Sequence, residues 1–347
     1  MASQNGSADN SERSILRAIR ALAQAGSGVR VGIGDDCAVL SPRSGEEMLV
    51  TTDFSIEGRH FHLNTHPPEA IGHKCLARGL SDIASMGGRP VAAFVSLAIP
   101  AALTRPSRKK SLYPLSNAGS KTSHPSWLER FYNGLLALAA VHGVTLAGGD
   151  LSESPTAVAD IIVVGAAPKG RALLRSTARP GDFLYVTGRL GGAASELATL
   201  AARPRKTPAN GPEHPHFYPQ PRVAAGHVLL RRKFATACID ISDGLSVDLL
   251  HLCDESKVNA ELEAAALPIY PGATLEEALH GGDDYELLFT ASPGTRIPRI
   301  LGGVAIHRIG HMTAPSRGSR ASRLFLLSDS GQRKLLQSAG WQHFQPS

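Results

Sequence analysis

The chain is 347 residues long, 42% hydrophobic, 19% charged and 5% aromatic, with a formal net charge of +6. That length exceeds one typical domain, and the composition is that of a globular chain with ample core-forming residues, not a disordered or fibrous one. The basic balance alone suits either nucleic acid or an anionic small ligand, but scarce aromatics argue against a stacking surface for nucleic acid.

The opening "MASQNGSADNSERS" is polar and lacks the apolar stretch of a signal peptide. No apolar run reaches the roughly 20 residues of a membrane helix, so a soluble, cytoplasmic protein with no membrane partner is expected. In "SERSILRAIRALAQA" Ile15, Leu16, Ile19 and Leu22 recur at helical spacing, with Ser11 placed to cap. Strand-like "VRVGI" and "EMLVTTDF" follow, then a helical pattern from Pro68 to Met86. The segment "PVAAFVSLAIP" reads as a buried strand ended by Pro100. Residues 104–126 are polar and basic with no acidic residue, the pattern of a flexible surface insertion, loop or lid.

Helix "WLERFYNGLLALAAVHG" and strands "VTLAGGD" and "AVADIIVVGAA" come next. A new unit begins near Pro180-Gly181-Asp182 with strand "FLYVTG" and helix "GGAASELATLAA". A proline-rich connector, "RPRKTPANGPEHPHFYPQP", leads to a helix, strand "ATACIDIS", helix "GLSVDLLHLCDES" and strand "YELLFTAS". This alternation predicts an α/β (α+β) architecture in both halves. The expected division is a polar segment and helix over 1–29, one α/β domain over 30–165 and a second over 166–347. Cys37, Cys75, Cys238 and Cys253 form no CxxC pair and sit among apolar neighbours, so all four are expected as reduced core residues.

Aspartates recur where apolar strands end: Asp35 and Asp36 in "GIGDD", Asp53, Asp150, Asp240 and Asp243 in "IDISDG", Asp283 and Asp284 in "GGDDYEL". One such residue is ordinarily a turn former or cap, but strand ends beside glycine are also where open sheets bind ligands. Strand alternation puts Ile239 and Ile241 on one face and Asp240 and Ser242 on the other. Asp243 alone reads as the cap of the next helix. Asp82 falls at the edge of the apolar arc formed by Ile71, Cys75, Leu76, Leu80, Ile83 and Met86, half-buried and needing Arg78 or a cation as partner. Aspartates without converging histidines or cysteines describe a hard-cation site, Mg²⁺ before Zn²⁺, and such a site usually serves phosphate. No GxxxxGK[ST] is present, and "GIGDD" lacks the third glycine of a dinucleotide fingerprint.

The ordered set "GIGDDCAVL", "TTDFSIEGRHF", "IGHKCLARGLSDIASMGGRP", "LAGGDLSES", "GRALLRSTARPGDFLYVTG", "IDISDGLSVDL", "ALHGGDDYELLFT", "RIGHMT" and "GWQHF" closely resembles the thiamine-monophosphate kinase family. The superfamily of aminoimidazole ribonucleotide synthetase, to which that family belongs, pairs two α/β domains, and its N-terminal sheets form a barrel across a homodimer. The resemblance implies ATP-dependent phosphorylation of thiamine monophosphate to thiamine diphosphate, the last step of thiamine diphosphate biosynthesis. It implies Mg²⁺ ligation by Asp36, Thr51, Thr52, Asp53, Asp82, Asp150, Asp240 and Asp243, with Asp36, Asp240 and Asp243 central to catalysis. Gly149, Asp150, Arg175 and Ser242 would hold ATP, and His60, Asp283 and Trp341 the thiamine substrate. Asp35 would stabilise the turn beside Asp36.

Four positions depart from the family pattern: Gly79 precedes "LSD", Leu151 follows "GGD", Asp283 replaces a glutamate, and Gln342 replaces an acid. The rival readings are a selenophosphate synthetase-like enzyme, which wants a reactive N-terminal cysteine that residues 1–29 lack, and a non-catalytic binder of thiamine phosphates.

Overall fold

A computed structural model of the chain describes residues 19–23, 28–33, 37–105, 125–202, 211, 213–315, 322–328 and 330–341. Most of the expected N-terminal helix, Asp35, Asp36, nearly all of the basic insertion and Gln342 lie outside them. Strands β1 (Val29–Val31) and β2 (Val39–Leu40) form an antiparallel pair. Strand β3 (Glu46–Ile56), helix α1 (Pro68–Ser85) and strand β4 (Arg89–Ile99) follow. Helix α2 (Trp127–His142), β5 (Thr145–Glu153) and β6 (Val158–Pro168) complete the first half. Four strands make a sheet of order β3-β6-β4-β5, with β4 and β5 parallel.

The later elements are β7 (Phe183–Thr187), α3 (Gly192–Ala202), α4 (Val223–Arg231), β8 (Ala237–Asp240) and α5 (Leu245–Ser256). After them come β9 (Asn259–Glu263), α6 (Leu275–His280), β10 (Leu287–Ala291), β11 (Ile300–Leu301), β12 (Val304–Thr313), β13 (Leu324–Leu327) and β14 (Arg333–Leu336). Their sheet has the order β14-β13-β9-β12-β7-β10-β8, with β11 paired to β12.

Two compact units emerge, one of residues 1–41, 52–76 and 91–162 and one of 42–51, 77–90 and 163–347. In the first, α2 begins with a capping box: the Ser126 hydroxyl accepts from Glu129 N while the Glu129 carboxylate accepts from Ser126 N. It ends at Gly143, whose φ of +64° suits glycine. Between those signals Leu128, Phe131, Leu135 and Leu138 share one buried face. Gly72 and Gly134 have backbone against them, where a methyl group at either would collide with Phe131 or Glu69 carbonyl oxygen. The Arg130 guanidinium then closes on the Glu69 carboxylate at 2.7 and 2.8 Å.

In the second unit the core is one sheet face under helices. Leu184 and Val186 of β7, Ile239 of β8, Leu288 of β10 and Ile309 of β12 pack with Leu249 and Leu252 of α5 and Leu279 of α6. Each such side chain contributes roughly 1.5–3 kcal/mol by leaving water. Alternation turns Phe183 and Tyr185 to the other face, where Tyr185 stacks on Phe289 at 5.3 Å. Two expectations need correction. Cys37 is exposed, whereas Cys75, Cys238 and Cys253 are buried as anticipated. The proline-rich segment is more than a connector, because His216, Phe217 and Tyr218 are buried. Prolines remove donors without preventing burial of the aromatic side chains between them.

Candidate active site

Strand β3 carries Thr51, Thr52 and Asp53, whose side chains alternate between its two faces. In the first unit, the Thr52 hydroxyl donates to Asp160 at 2.8 Å. Asp53 is half-buried on the same strand, and Asp150 is exposed on β5, in register with Ser96 of β4. Gly149, just before it, has φ +149° and lies so close to the Val95 carbonyl that a Cβ would overlap it. Glycine is therefore obligatory there, because the Val95 backbone already fills the space a side chain would need. His60 Nδ1 accepts from Ile56 N at 3.0 Å, which places the proton of a neutral ring on Nε2.

The second unit gathers the other carboxylates. The Thr51 hydroxyl donates to Asp82, which is half-buried as its place on the helical arc predicted. Burial raises the Asp82 carboxyl to about 6, assisted by the Asp240 charge and opposed by the Thr51 hydroxyl, Arg175 and Arg78. Asp240 ends strand β8 and is 3% exposed, its carboxylate accepting from the buried Ser81 hydroxyl at 2.6 Å. Arg175 is exposed and opens a short 3₁₀ turn, Arg175–Thr177, its charge acting on Asp82. The Asp82 and Asp240 carboxylates and the Thr51 hydroxyl are oxygen donors of the kind a hard divalent cation takes, and the Arg175 charge suits a phosphate.

The loop after Asp240 is organised by a residue that the motif reading passed over. One oxygen of Asp248 accepts from Ser242 N, Asp243 N and Gly244 N at 3.0, 3.0 and 3.1 Å. The helix cap is Gly244, with no side-chain cap, so Asp243 does not fill the capping role its position suggested. Asp248 reaches back from the first turn of α5 to do that work, leaving the Asp243 side chain to other interactions. Burial pushes the Asp248 carboxyl up to about 8, with Asp240 and Asp243 adding to the shift and the loop amides opposing it. The available clue was an acid in the first helical turn after "SDG".

The remaining predicted residues attach to the same loop. Asp283 N donates to Ser242 O at 2.8 Å, and Trp341 N donates to Asp243 O at 3.0 Å. Trp341 itself is 46% exposed. Asp284 is half-buried and accepts from Gly191 N at 2.8 Å and more weakly from Ala193 N, holding the start of α3. Burial pushes its carboxyl up to about 8 against those donors. The Glu286 carboxylate takes both prongs of Arg222, at 2.7 and 2.5 Å, together with the Thr187 hydroxyl at 2.5 Å.

Thr51, Asp82, Asp240, Ser242, Asp243, Asp283 and Trp341 thus belong to one connected part of the second unit. Thr52, Asp53, His60, Gly149 and Asp150 belong to the first unit, and Asp36 lies outside the described residues. Among the described residues, no three His, Cys, Asp or Glu side chains stand close enough together to hold a metal ion unaided.

Two families match the chain: the AIR synthase related protein N-terminal domain over residues 34–167, and its C-terminal domain over 179–321. The thiamine-monophosphate kinase of Escherichia coli (strain K12) is 34% identical over 331 residues, covering 91% of this chain and 92% of that protein. The crystal structure of thiamine-monophosphate kinase from Stenotrophomonas maltophilia superposes with a TM-score of 0.70 at 32% identity, covering 89% of this chain and 94% of that one. AaThiL, solved in complex with AMPPCP and TMP, gives a TM-score of 0.69 at 28% identity over 88% and 89% of the two chains. These likenesses run through both halves of a mixed α/β chain, and the chain belongs to the thiamine-monophosphate kinase family.

Proposed function

We propose that the chain transfers the γ-phosphoryl group of ATP directly to the phosphate of thiamine monophosphate, giving thiamine diphosphate. Family membership across nearly the whole chain is the observation that carries this reading. The nucleophile is a phosphate oxygen with a second pKa of about 6, so it is ionised at neutral pH and needs no general base. The difficulty is to bring one anion onto another, and a chain that holds acidic side chains beside Arg175 is suited to it only with cations present.

The donors fit Mg²⁺. Burial and the Asp240 charge raise the Asp82 carboxyl, a cost that a bound cation would offset. Asp36, Thr51, Thr52, Asp53, Asp82, Asp150, Asp240 and Asp243 would hold the ions, which supply charge neutralisation and alignment for in-line transfer. Gly149, Asp150, Arg175 and Ser242 would hold ATP. His60, Asp283 and Trp341 would bind the thiamine portion, an exposed ring and a carboxylate suiting a cationic heteroaromatic.

The same reading makes the protein a cytoplasmic homodimer with a barrel of N-terminal strands. Its support is the outer strand β3, whose Val50 and Phe54 are 68% and 56% exposed on either side of Thr52. Such apolar groups on an edge strand call for a cover. No described helix is long and apolar enough to cross a membrane.

Direct transfer is tested by acid quench during turnover with γ-labelled ATP. The label should be found in thiamine diphosphate and in residual ATP, and none on the protein. A labelled protein that discharges to product when thiamine monophosphate is added would overturn direct transfer.

A further inference from the structure

The segment 281–286 holds two non-glycine residues in left-handed backbone, Asp283 at φ +67° and Tyr285 at φ +51°. Aspartate tolerates this region; a bulky aromatic is a genuine outlier there. Such backbone persists only where its surroundings over-determine it. They do so here. Asp283 N and Tyr285 N donate to Ser242 O and Ile241 O, both at 2.8 Å, so the segment is tied to the end of β8. Asp284 holds the start of α3, and Glu286 is locked by Arg222 and Thr187.

The outcome concerns one carboxylate. The Tyr285 side chain is buried, and its hydroxyl donates to Asp283 Oδ1 at 2.8 Å. The buried His216 faces the other oxygen, Nδ1 lying 3.9 Å from Oδ2. The Asp283 side chain itself is 37% exposed. An aspartate has short reach and two rotatable bonds, so a ligand contact from it depends on having its rotamer fixed beforehand.

We infer that Tyr285, with His216, is a positioning residue for substrate recognition: the two hold the Asp283 carboxylate where it accepts from the amino group, and offsets the ring charge, of thiamine monophosphate. This rests on the reading of thiamine monophosphate as the substrate and of Asp283 as facing it. The strained backbone is then the means by which a tyrosine just two residues along the chain reaches back to that carboxylate. His216 arrives from the buried stretch of the proline-rich segment.

Calorimetric titration with thiamine monophosphate and, separately, with ATP tests this on the wild type, Tyr285→Phe, Asp283→Asn and the double variant. Tyr285→Phe should weaken thiamine monophosphate about tenfold, the effect of one hydrogen bond to a charged group, and leave ATP unchanged. The double variant should bind no more weakly than Asp283→Asn alone, because the hydroxyl acts only through that carboxylate. Unchanged affinity in Tyr285→Phe, or losses that multiply in the double variant, would overturn the inference. His216→Gln keeps the test available should the buried tyrosine not tolerate replacement. It should weaken thiamine monophosphate about threefold and spare ATP, and wild-type affinity would count equally against the proposal. A wild-type chain that neither binds nor phosphorylates thiamine monophosphate removes the substrate reading itself, a result distinct from tight wild-type binding with unaffected variants.

Discussion

Asp240→Asn should lower kcat by about 10³ or more while the chain still unfolds cooperatively, at or above the wild-type midpoint. The two halves of that result have different origins. Asp240 is buried at the end of β8, where a charge is costly and the Ser81 hydroxyl donates to it. An asparagine of the same shape still accepts from Ser81, removes the buried charge and relieves the repulsion that raises Asp82. Stability is therefore kept or improved. Activity is lost because a neutral amide oxygen is a far weaker ligand for a hard cation than a carboxylate. Steady-state kinetics beside a denaturation curve checks both halves. Full activity in the variant would remove Asp240 from the cation-binding group.

The largest stability effect is expected elsewhere. Arg222→Leu should cost about 3–5 kcal/mol, because it strands the Glu286 carboxylate in a buried position. Glu286 has 4% of its side chain exposed, and without Arg222 its hydrogen-bond donors among the described residues reduce to the Thr187 hydroxyl. The adjoining Asp284 and Tyr285 depend on the same stretch of backbone, so thiamine monophosphate affinity should fall with stability. Pairing Arg222→Leu with Glu286→Leu should recover much of the loss, since no unpaired charge remains. Urea denaturation of the three variants measures this. A single variant within about 1 kcal/mol of wild type would show that water or another group already satisfies Glu286.

These two residues also mark how far the sequence could be read. Local patterns served well: the helical periodicity from Pro68 to Met86 corresponds to α1 over Pro68–Ser85, and "WLERFYNGLLALAAVHG" to α2 over Trp127–His142. Those elements carry their own start, stop and apolar face. Strand "YELLFTAS" begins later than expected, at Leu287, because the left-handed Asp283 and Tyr285 break the extended run ahead of it. Strands β9 and β12–β14 escaped the sequence reading, since their pairing depends on distant partners more than on local alternation.

The candidate site divides the same way. The recurrence of aspartates at strand ends was visible in the chain, and the ordered motifs assigned them roles. Their supports were not visible. Arg222 and Glu286 are 64 residues apart, and Ser81 and Asp240 are 159 apart, with nothing local to announce either pair. Asp248 hid behind its ordinary place in a helix's first turn, and His216 behind the prolines around it. A motif names the groups that meet the ligand; the groups that aim them are fixed by tertiary packing.

The most direct measurement is the conversion itself. Purified chain incubated with ATP, Mg²⁺ and thiamine monophosphate should form thiamine diphosphate and ADP in equal amounts, and chelation of the Mg²⁺ should stop it. A folded chain that binds both substrates yet forms no thiamine diphosphate would contradict the account.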